Sequence, residues 1–174
     1  MKILIHFLCL ALSACAPRSE EAIDTPNEIS SNSELSPLVE TVQGRTLGEL
    51  NPDADYYAIY YSAHWCGPCR AFTPQLSAFY KSNFEEGGKF DVLFVSSDRS
   101  EEDMQKYIEW GDMQFPALNY GIKKSMDEIM KYKARSIPQL VLIDRKGTII
   151  SDSHPEGEFL GPEHVLDELK LLLK

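Results

Sequence analysis

Two cysteines separated by Gly67 and Pro68 are the side chains of this sequence best suited to covalent chemistry. Cys66 and Cys69 follow an aromatic run at 56–61 and are two of only four cysteines among 174 residues. A pair at this spacing suits a metal site, a structural disulfide or a redox-active dithiol. The rest of the sequence has to discriminate among these three chemistries.

A zinc site is disfavoured by the positions of the other candidate ligands. Structural zinc sites use four ligands, usually with a second closely spaced Cys or His pair. The other two cysteines lie in the apolar N-terminus, and His64, His154 and His164 do not form such a pair. A purely structural disulfide across four residues would close too small a loop to stabilise the fold much. The pattern therefore favours a redox role.

A redox role has a physical reason at each position. Cys66 is expected where a strand ends and a helix begins. The free N–H groups and partial positive charge of the helix N-terminus would favour its thiolate and lower its pKa below the free value of about 8.5. Cys69 lies one turn later on the same face, within reach for a disulfide, and deeper, as the resolving thiol. Pro68 lacks an N–H in the first turn, where none is needed.

The elements that must position this pair follow from the hydrophobic pattern. Continuous apolar runs predict buried strands, and apolar residues at helical spacing predict amphipathic helices. The expected strands are 56–61, 90–95, 139–143 and 148–150, the last two as a hairpin. The expected helices are 67–84, 101–110, 125–132 and one that opens at 161–163. This order predicts a three-layer α/β domain with a mixed sheet.

The segment "WCGPC" at 65–69 resembles the active-site motif of the thioredoxin superfamily. The segments "FTPQLSAFY", "FDVLFVSSDRSEEDMQKYI" and "SIPQLVLID" are similar to its tryparedoxin and nucleoredoxin branch, and to membrane-tethered thiol reductases of bacterial envelopes. The resemblance extends from about Leu38 to the C-terminus. It implies a thioredoxin-like fold, with a central mixed β-sheet flanked by helices, and thiol–disulfide oxidoreductase activity that needs no bound cofactor or metal.

The resemblance also implies a second loop that faces the cysteines, at Ile137-Pro138. In the family this proline follows a cis peptide bond and keeps metal ions away from the sulfurs, while the backbone beside it pairs with a substrate strand. Trp65 is expected to cover the cysteines and to offer apolar surface to partners. The alternative for Trp65 is a simple core position.

Tyr60 departs from the pattern of small thioredoxins, which carry a buried Asp six residues before the first cysteine. A phenol with a pKa near 10 is a poor proton acceptor at neutral pH. The acceptor for the proton of Cys69 therefore stays open between water and a carboxylate elsewhere in the chain. His64 is a candidate base, although we expect it at the surface beside Trp65.

The N-terminus has the features of an export signal. Lys2, a short apolar run and small residues predict a signal peptide over residues 1–14, too short to span a bilayer, which takes about 20 residues. "LSAC" at 12–15 resembles a lipobox that would place lipid on Cys15, and "ACA" at 14–16 suits ordinary cleavage. Because ordinary cleavage would leave Pro17 first, we favour the lipobox. The expected organisation is signal peptide 1–14, lipidated Cys and flexible tether 15–37, and thioredoxin-like domain 38–174.

Charge and export together define the expected partners and location. The net charge of −10 argues against nucleic acid, which needs clustered Lys and Arg. The expected partners are disulfide-containing substrate proteins, a membrane thiol electron donor and the membrane itself, through lipid on Cys15. The expected location is the bacterial cell envelope, facing the periplasm. The outer membrane is favoured because Ala16 stands where Asp would signal inner-membrane retention.

The direction of electron flow follows from the dipeptide between the cysteines. Gly67-Pro68 resembles thioredoxin, at about −270 mV, rather than the strong periplasmic oxidant, at about −120 mV, so we expect a reductase. Alternatives are a disulfide oxidase or isomerase, and a copper-handling assembly factor, because thiolates favour Cu(I). No Met-rich or His-rich segment supports copper. A redox-inactive binding module is disfavoured because both cysteines are present.

Overall fold

The computed structural model describes residues 35–85, 88–133 and 135–174. The expected signal peptide, the expected lipidation site at Cys15 and nearly all of the expected tether lie outside the described residues. Within the described ranges, no helix combines the length and the apolar character that crossing a membrane requires.

A mixed sheet of six strands forms the centre of the described part of the chain, in the order β1-β4-β3-β2-β5-β6. The strands are β1 (Thr46–Leu47), β2 (Tyr56–Ser62), β3 (Phe90–Ser96), β4 (Ala117–Leu118), β5 (Gln139–Asp144) and β6 (Ile149–Asp152). Strand β2 is parallel to β3 and antiparallel to β5, and β5 forms a hairpin with β6. The expected mixed sheet and hairpin are therefore confirmed.

The two central strands are buried on both faces, which explains their continuous apolar sequence. Along β2, Ala58 and Tyr60 point into one core, and Tyr57, Ile59 and Tyr61 point into the other. The first core packs against α2 (Gly67–Asn83), α3 (Glu101–Trp110) and α5 (Pro162–Leu172). The second packs against α1 (Pro37–Val42) and α4 (Asp127–Met130). The sheet thus lies between two layers of helices, as expected.

The helix that follows the cysteines ends one residue before the expected position and continues past the internal Pro74. Helix α3 begins where the sequence indicated, because the Ser100 hydroxyl accepts the Asp103 N–H at 3.1 Å. Helix α5 opens directly after Gly161, whose φ of 88° a glycine adopts without strain.

One expected helix is wrong in extent. Instead of a single helix over 125–132, a 3₁₀ turn at Ile122–Ser125 precedes the short α4. Met126 separates the two with a non-helical backbone, φ −121° and ψ 88°, and its side chain is buried in the second core. The non-helical backbone of Met126 therefore ends the 3₁₀ turn before α4 begins. The short elements α1, β1 and β4 carry no periodic signal and had no counterpart in the sequence interpretation.

Candidate active site

The cysteine pair lies at the junction between β2 and α2. Cys66 is the N-cap residue of α2 and forms a disulfide with Cys69, with the two Cα atoms 5.2 Å apart. The Cys69 N–H donates a hydrogen bond to the Cys66 sulfur at 3.2 Å. Cys66 retains 6% exposure, whereas Cys69 has none. A substrate can therefore reach the first sulfur and not the second.

The loop before β5 reaches the same place from the far side. The Ile137–Pro138 peptide bond is cis, the geometry that the resemblance implied. The carbonyl oxygen of Ile137 lies 3.8 Å from the Cys66 sulfur. The register of β5 against β2, in which Gln139 pairs with Tyr61, brings this loop beside the end of β2. The two segments thus meet although 71 residues separate them.

Trp65 is a surface residue, so the core alternative is wrong. Its side chain is 57% exposed, and its indole N–H donates to the Ser97 carbonyl at 3.2 Å. It forms one wall of a groove beside the disulfide. Gly67 and Pro68 are also exposed, and a side chain at position 67 would meet no atom within 4 Å.

Four buried hydroxyl groups lie beneath Cys69. This hydroxyl cluster consists of Tyr60, Ser62, Thr73 and Tyr107. The Tyr60 and Thr73 oxygens are 2.8 Å apart, and Thr73 and Tyr107 are joined at 2.6 Å. The Thr73 hydroxyl also donates to the Cys69 carbonyl at 2.9 Å. Only Tyr60 of this cluster was singled out from the sequence, because the other members are recognisable only once the strands and helices have packed.

Burial makes Tyr60 unsuitable as a base. Desolvation raises its pKa far above the ordinary value of 10, and the neighbouring Tyr107 acts in the same direction. The phenol is therefore neutral at physiological pH. The hydroxyl cluster supports the backbone of Cys69 rather than its sulfur.

His64 contacts different partners from those expected. Its ring stacks on Tyr107 with a centroid distance of 5.5 Å and lies 6.0 Å from Trp110. Its backbone N–H donates to the buried Asp98 carboxylate at 2.8 Å. These contacts hold the loop between β2 and α2 in place. Asp98 was not identified from the sequence, because its partner lies 34 residues away.

Within the described residues, no group of three or more His, Cys, Asp or Glu side chains is arranged to hold a metal ion. The chemistry that the site offers lies in the two sulfurs, the helix N-terminus beneath them and the exposed groove beside them.

Comparisons with known proteins agree with this geometry. Residues 53–149 match the family model described as Thioredoxin-like. Nucleoredoxin from Danio rerio is 35% identical over 123 residues, which are 66% of this chain and 29% of that protein. The chain spans less than a third of the length of the nucleoredoxins that it matches.

Solved structures show the same fold. Thioredoxin from Wuchereria bancrofti is 30% identical with a TM-score of 0.54, over 70% of this chain and 84% of that one. Tryparedoxin from Trypanosoma brucei is also 30% identical with a TM-score of 0.54, over 66% of this chain and 85% of that one. The expected thioredoxin-like fold is confirmed.

The hydroxyl cluster generates a prediction about stability. Changing Tyr60→Phe removes a buried hydroxyl and leaves its neighbours short of a partner, so the free energy of unfolding of the oxidised protein should fall by about 1–2 kcal/mol. Denaturant titration measures this loss. The matched control is Tyr56→Phe, whose hydroxyl makes no hydrogen bond in the part of the chain that the structure describes. Equal losses in the two variants would contradict the prediction.

Proposed function

The chain belongs to the thioredoxin-like family, and on that premise we propose that it is a thiol–disulfide oxidoreductase acting through Cys66 and Cys69. The observation that carries the proposal is the disulfide at the N-terminus of α2, with one reachable sulfur and one enclosed sulfur. The cis-Pro138 loop beside it leaves the Ile137 backbone next to the reactive sulfur.

The reaction proceeds in two exchanges. In the reduced protein, the Cys66 thiolate attacks one sulfur of a substrate disulfide, and the other substrate sulfur leaves as a thiolate that takes a proton. Cys69 then loses its proton and attacks the Cys66 sulfur, which releases the second substrate thiol. Two electrons pass from the protein dithiol to the substrate, and the Cys66–Cys69 disulfide remains.

The helix N-terminus decides which sulfur attacks. The Cys69 N–H already points at the Cys66 sulfur, and the first turn of α2 adds its partial positive charge. Both stabilise negative charge on that sulfur. Cys69 is enclosed, so it can attack only its neighbour. Because burial keeps the Tyr60 phenol neutral, this side chain does not take the proton of Cys69.

The first test is capture of the intermediate. Changing Cys69→Ser should trap mixed disulfides between Cys66 and substrate proteins, because the resolving thiol is lost. The wild-type protein should reduce insulin in the presence of a dithiol, and Cys66→Ser should abolish this activity and capture nothing. Non-reducing electrophoresis and the insulin turbidity assay provide the measurements. Equal capture by Cys66→Ser, or no insulin reduction by the wild type, would reject the mechanism.

We also propose that the physiological direction is reduction, by analogy of Gly67-Pro68 with thioredoxin. Between about −270 mV and about −120 mV the difference is about 7 kcal/mol for two electrons, which is large enough to decide the direction. Equilibration of the purified protein with glutathione buffers should give a potential below about −180 mV. A higher value would favour an oxidase or isomerase.

Location remains a separate proposal, supported by the sequence of residues 1–15. We propose that Cys15 carries lipid, that the domain faces the periplasm of a bacterial envelope and that a membrane thiol carrier restores the dithiol. Expression in a bacterium with a radiolabelled fatty acid should label the protein and place it in the membrane fraction. The Cys15→Ser variant should be unlabelled; a labelled variant or an unlabelled wild type would refute the anchor.

A further inference from the structure

The groove beside the disulfide has an aromatic wall and a basic wall. It is a cavity of about 340 Å³, and its lining residues are Trp65, Ser97, Lys133, Arg135, Ser136 and Ile137. The Ile137 carbonyl at one end lies 3.8 Å from the Cys66 sulfur. A substrate segment that reaches this sulfur would therefore pass along the groove.

The two cations of the basic wall are exposed and available. Within the described residues, neither the Lys133 nor the Arg135 side chain forms a hydrogen bond or an ion pair. Other lysines of the domain do pair with carboxylates: Lys81 with Asp112, Lys106 with Glu102, Lys131 with Glu128 and Lys170 with Asp167. The two charges beside the active site thus differ from these four lysines, whose charges are already paired.

A third cation lies behind the aromatic wall. The Lys123 ammonium is half-buried and lies 3.2 Å from the Ser97 hydroxyl, and the carbonyl of the same Ser97 accepts the Trp65 indole N–H. Burial lowers the pKa of Lys123, and the nearby positive charges of Lys133 and Lys124 lower it further. Lys123 is therefore close enough to Lys133 and to Lys124 for its charge to be repelled by theirs.

The neighbouring carboxylates are already engaged. Asp98 accepts hydrogen bonds from the His64 N–H and from the Ser96 hydroxyl. Asp152 lines an adjoining depression together with Lys133 and Arg135. Its carboxylate accepts hydrogen bonds from the Gln139 side-chain amide and from the His154 N–H. Among the described residues, the lining of the groove itself carries two cations and no carboxylate, although the whole chain carries a net charge of −10.

We propose that the groove selects protein disulfides flanked by carboxylate side chains. An acidic segment of the substrate would lie along the groove, with its carboxylates on Lys133 and Arg135 and an apolar side chain on Trp65. The guanidinium suits two-pronged pairing with a carboxylate, and a local basic patch orients an acidic partner that the net charge would otherwise repel. The inference rests on the proposed function and leaves its chemistry unchanged.

The test uses three peptides, each with the same intramolecular disulfide. They differ only in the residues that flank it, which are Glu in one peptide, Gln in the second and Lys in the third. At low ionic strength, the wild-type kcat/KM should be about tenfold higher for the Glu peptide than for the Lys peptide. The ratio should approach one in about 1 M salt, which screens exposed charges. A wild-type ratio within about twofold of one at low salt would overturn the proposal.

Charge reversal locates the effect. The double variant Lys133→Glu, Arg135→Glu should invert the preference between the Glu and Lys peptides. The matched control is Lys89→Glu, Lys146→Glu, which changes the net charge equally. Lys89 directly precedes β3, and Lys146 lies just after β5. Both are exposed and lie at the end of these strands away from Cys66, where Phe90 and Asp144 pair with Tyr56. The control should keep the wild-type preference, and an equal change in both double variants would refute a local role of the groove.

The Gln peptide separates this inference from the proposed function. If the wild type fails to reduce it, the oxidoreductase mechanism fails, and the groove is then tested by binding alone. A Glu-flanked peptide with Ser in place of both cysteines should alter tryptophan fluorescence on binding, and the double reversal at positions 133 and 135 should weaken its affinity about tenfold. Unchanged affinity would overturn the groove proposal, whether or not the oxidoreductase mechanism holds.

Discussion

The N-terminus of α2, capped by a cysteine sulfur, is the interaction on which the rest of the site depends. An ordinary N-cap side chain supplies an oxygen to a free N–H of the first turn. Here the sulfur of Cys66 receives the Cys69 N–H, so the atom that completes the helix is also the atom that we propose attacks the substrate. Negative charge on that sulfur is stabilised by the same dipole and N–H groups that any helix start presents. The redox pair therefore needs no charged neighbour to favour its thiolate.

The surrounding fold positions this helix start between the ends of three adjacent strands. Strand β2 leads into the cysteines, and β3 leads into Ser97, whose carbonyl holds the Trp65 ring. Strand β5 begins directly after the cis-Pro138 loop. Because β2 lies between β3 and β5, its register with each of them brings the three segments to the same end of the strands. The site is thus a property of strand order as much as of the cysteine motif.

The interior beneath the cysteines is polar but uncharged. The members of the hydroxyl cluster form hydrogen bonds with one another and with the Cys69 carbonyl. A buried carboxylate in their place would carry a desolvation cost, which the uncharged hydroxyls avoid. Tyr107 belongs both to this cluster and to the ring stack with His64 and Trp110, so α3 is tied to the β2–α2 loop by packing and hydrogen bonds together. This arrangement ties the first turn of α2 to β2 and α3 beneath the two sulfurs.

The amino-acid sequence by itself determined the features that depend on neighbours along the chain. The spacing of Cys66 and Cys69, the buried runs of β2 and β3 and the Ser100 cap are local patterns, and each was recognisable for that reason. The family resemblance also implied that Ile137-Pro138 faces the cysteines, as the structure shows. Tertiary structure alone decided which other distant residues share the site: Ser97 beside Trp65, and Lys133 and Arg135 along the groove. Those proximities follow from strand order and register, which arise from long-range pairing and leave no periodic trace in the sequence.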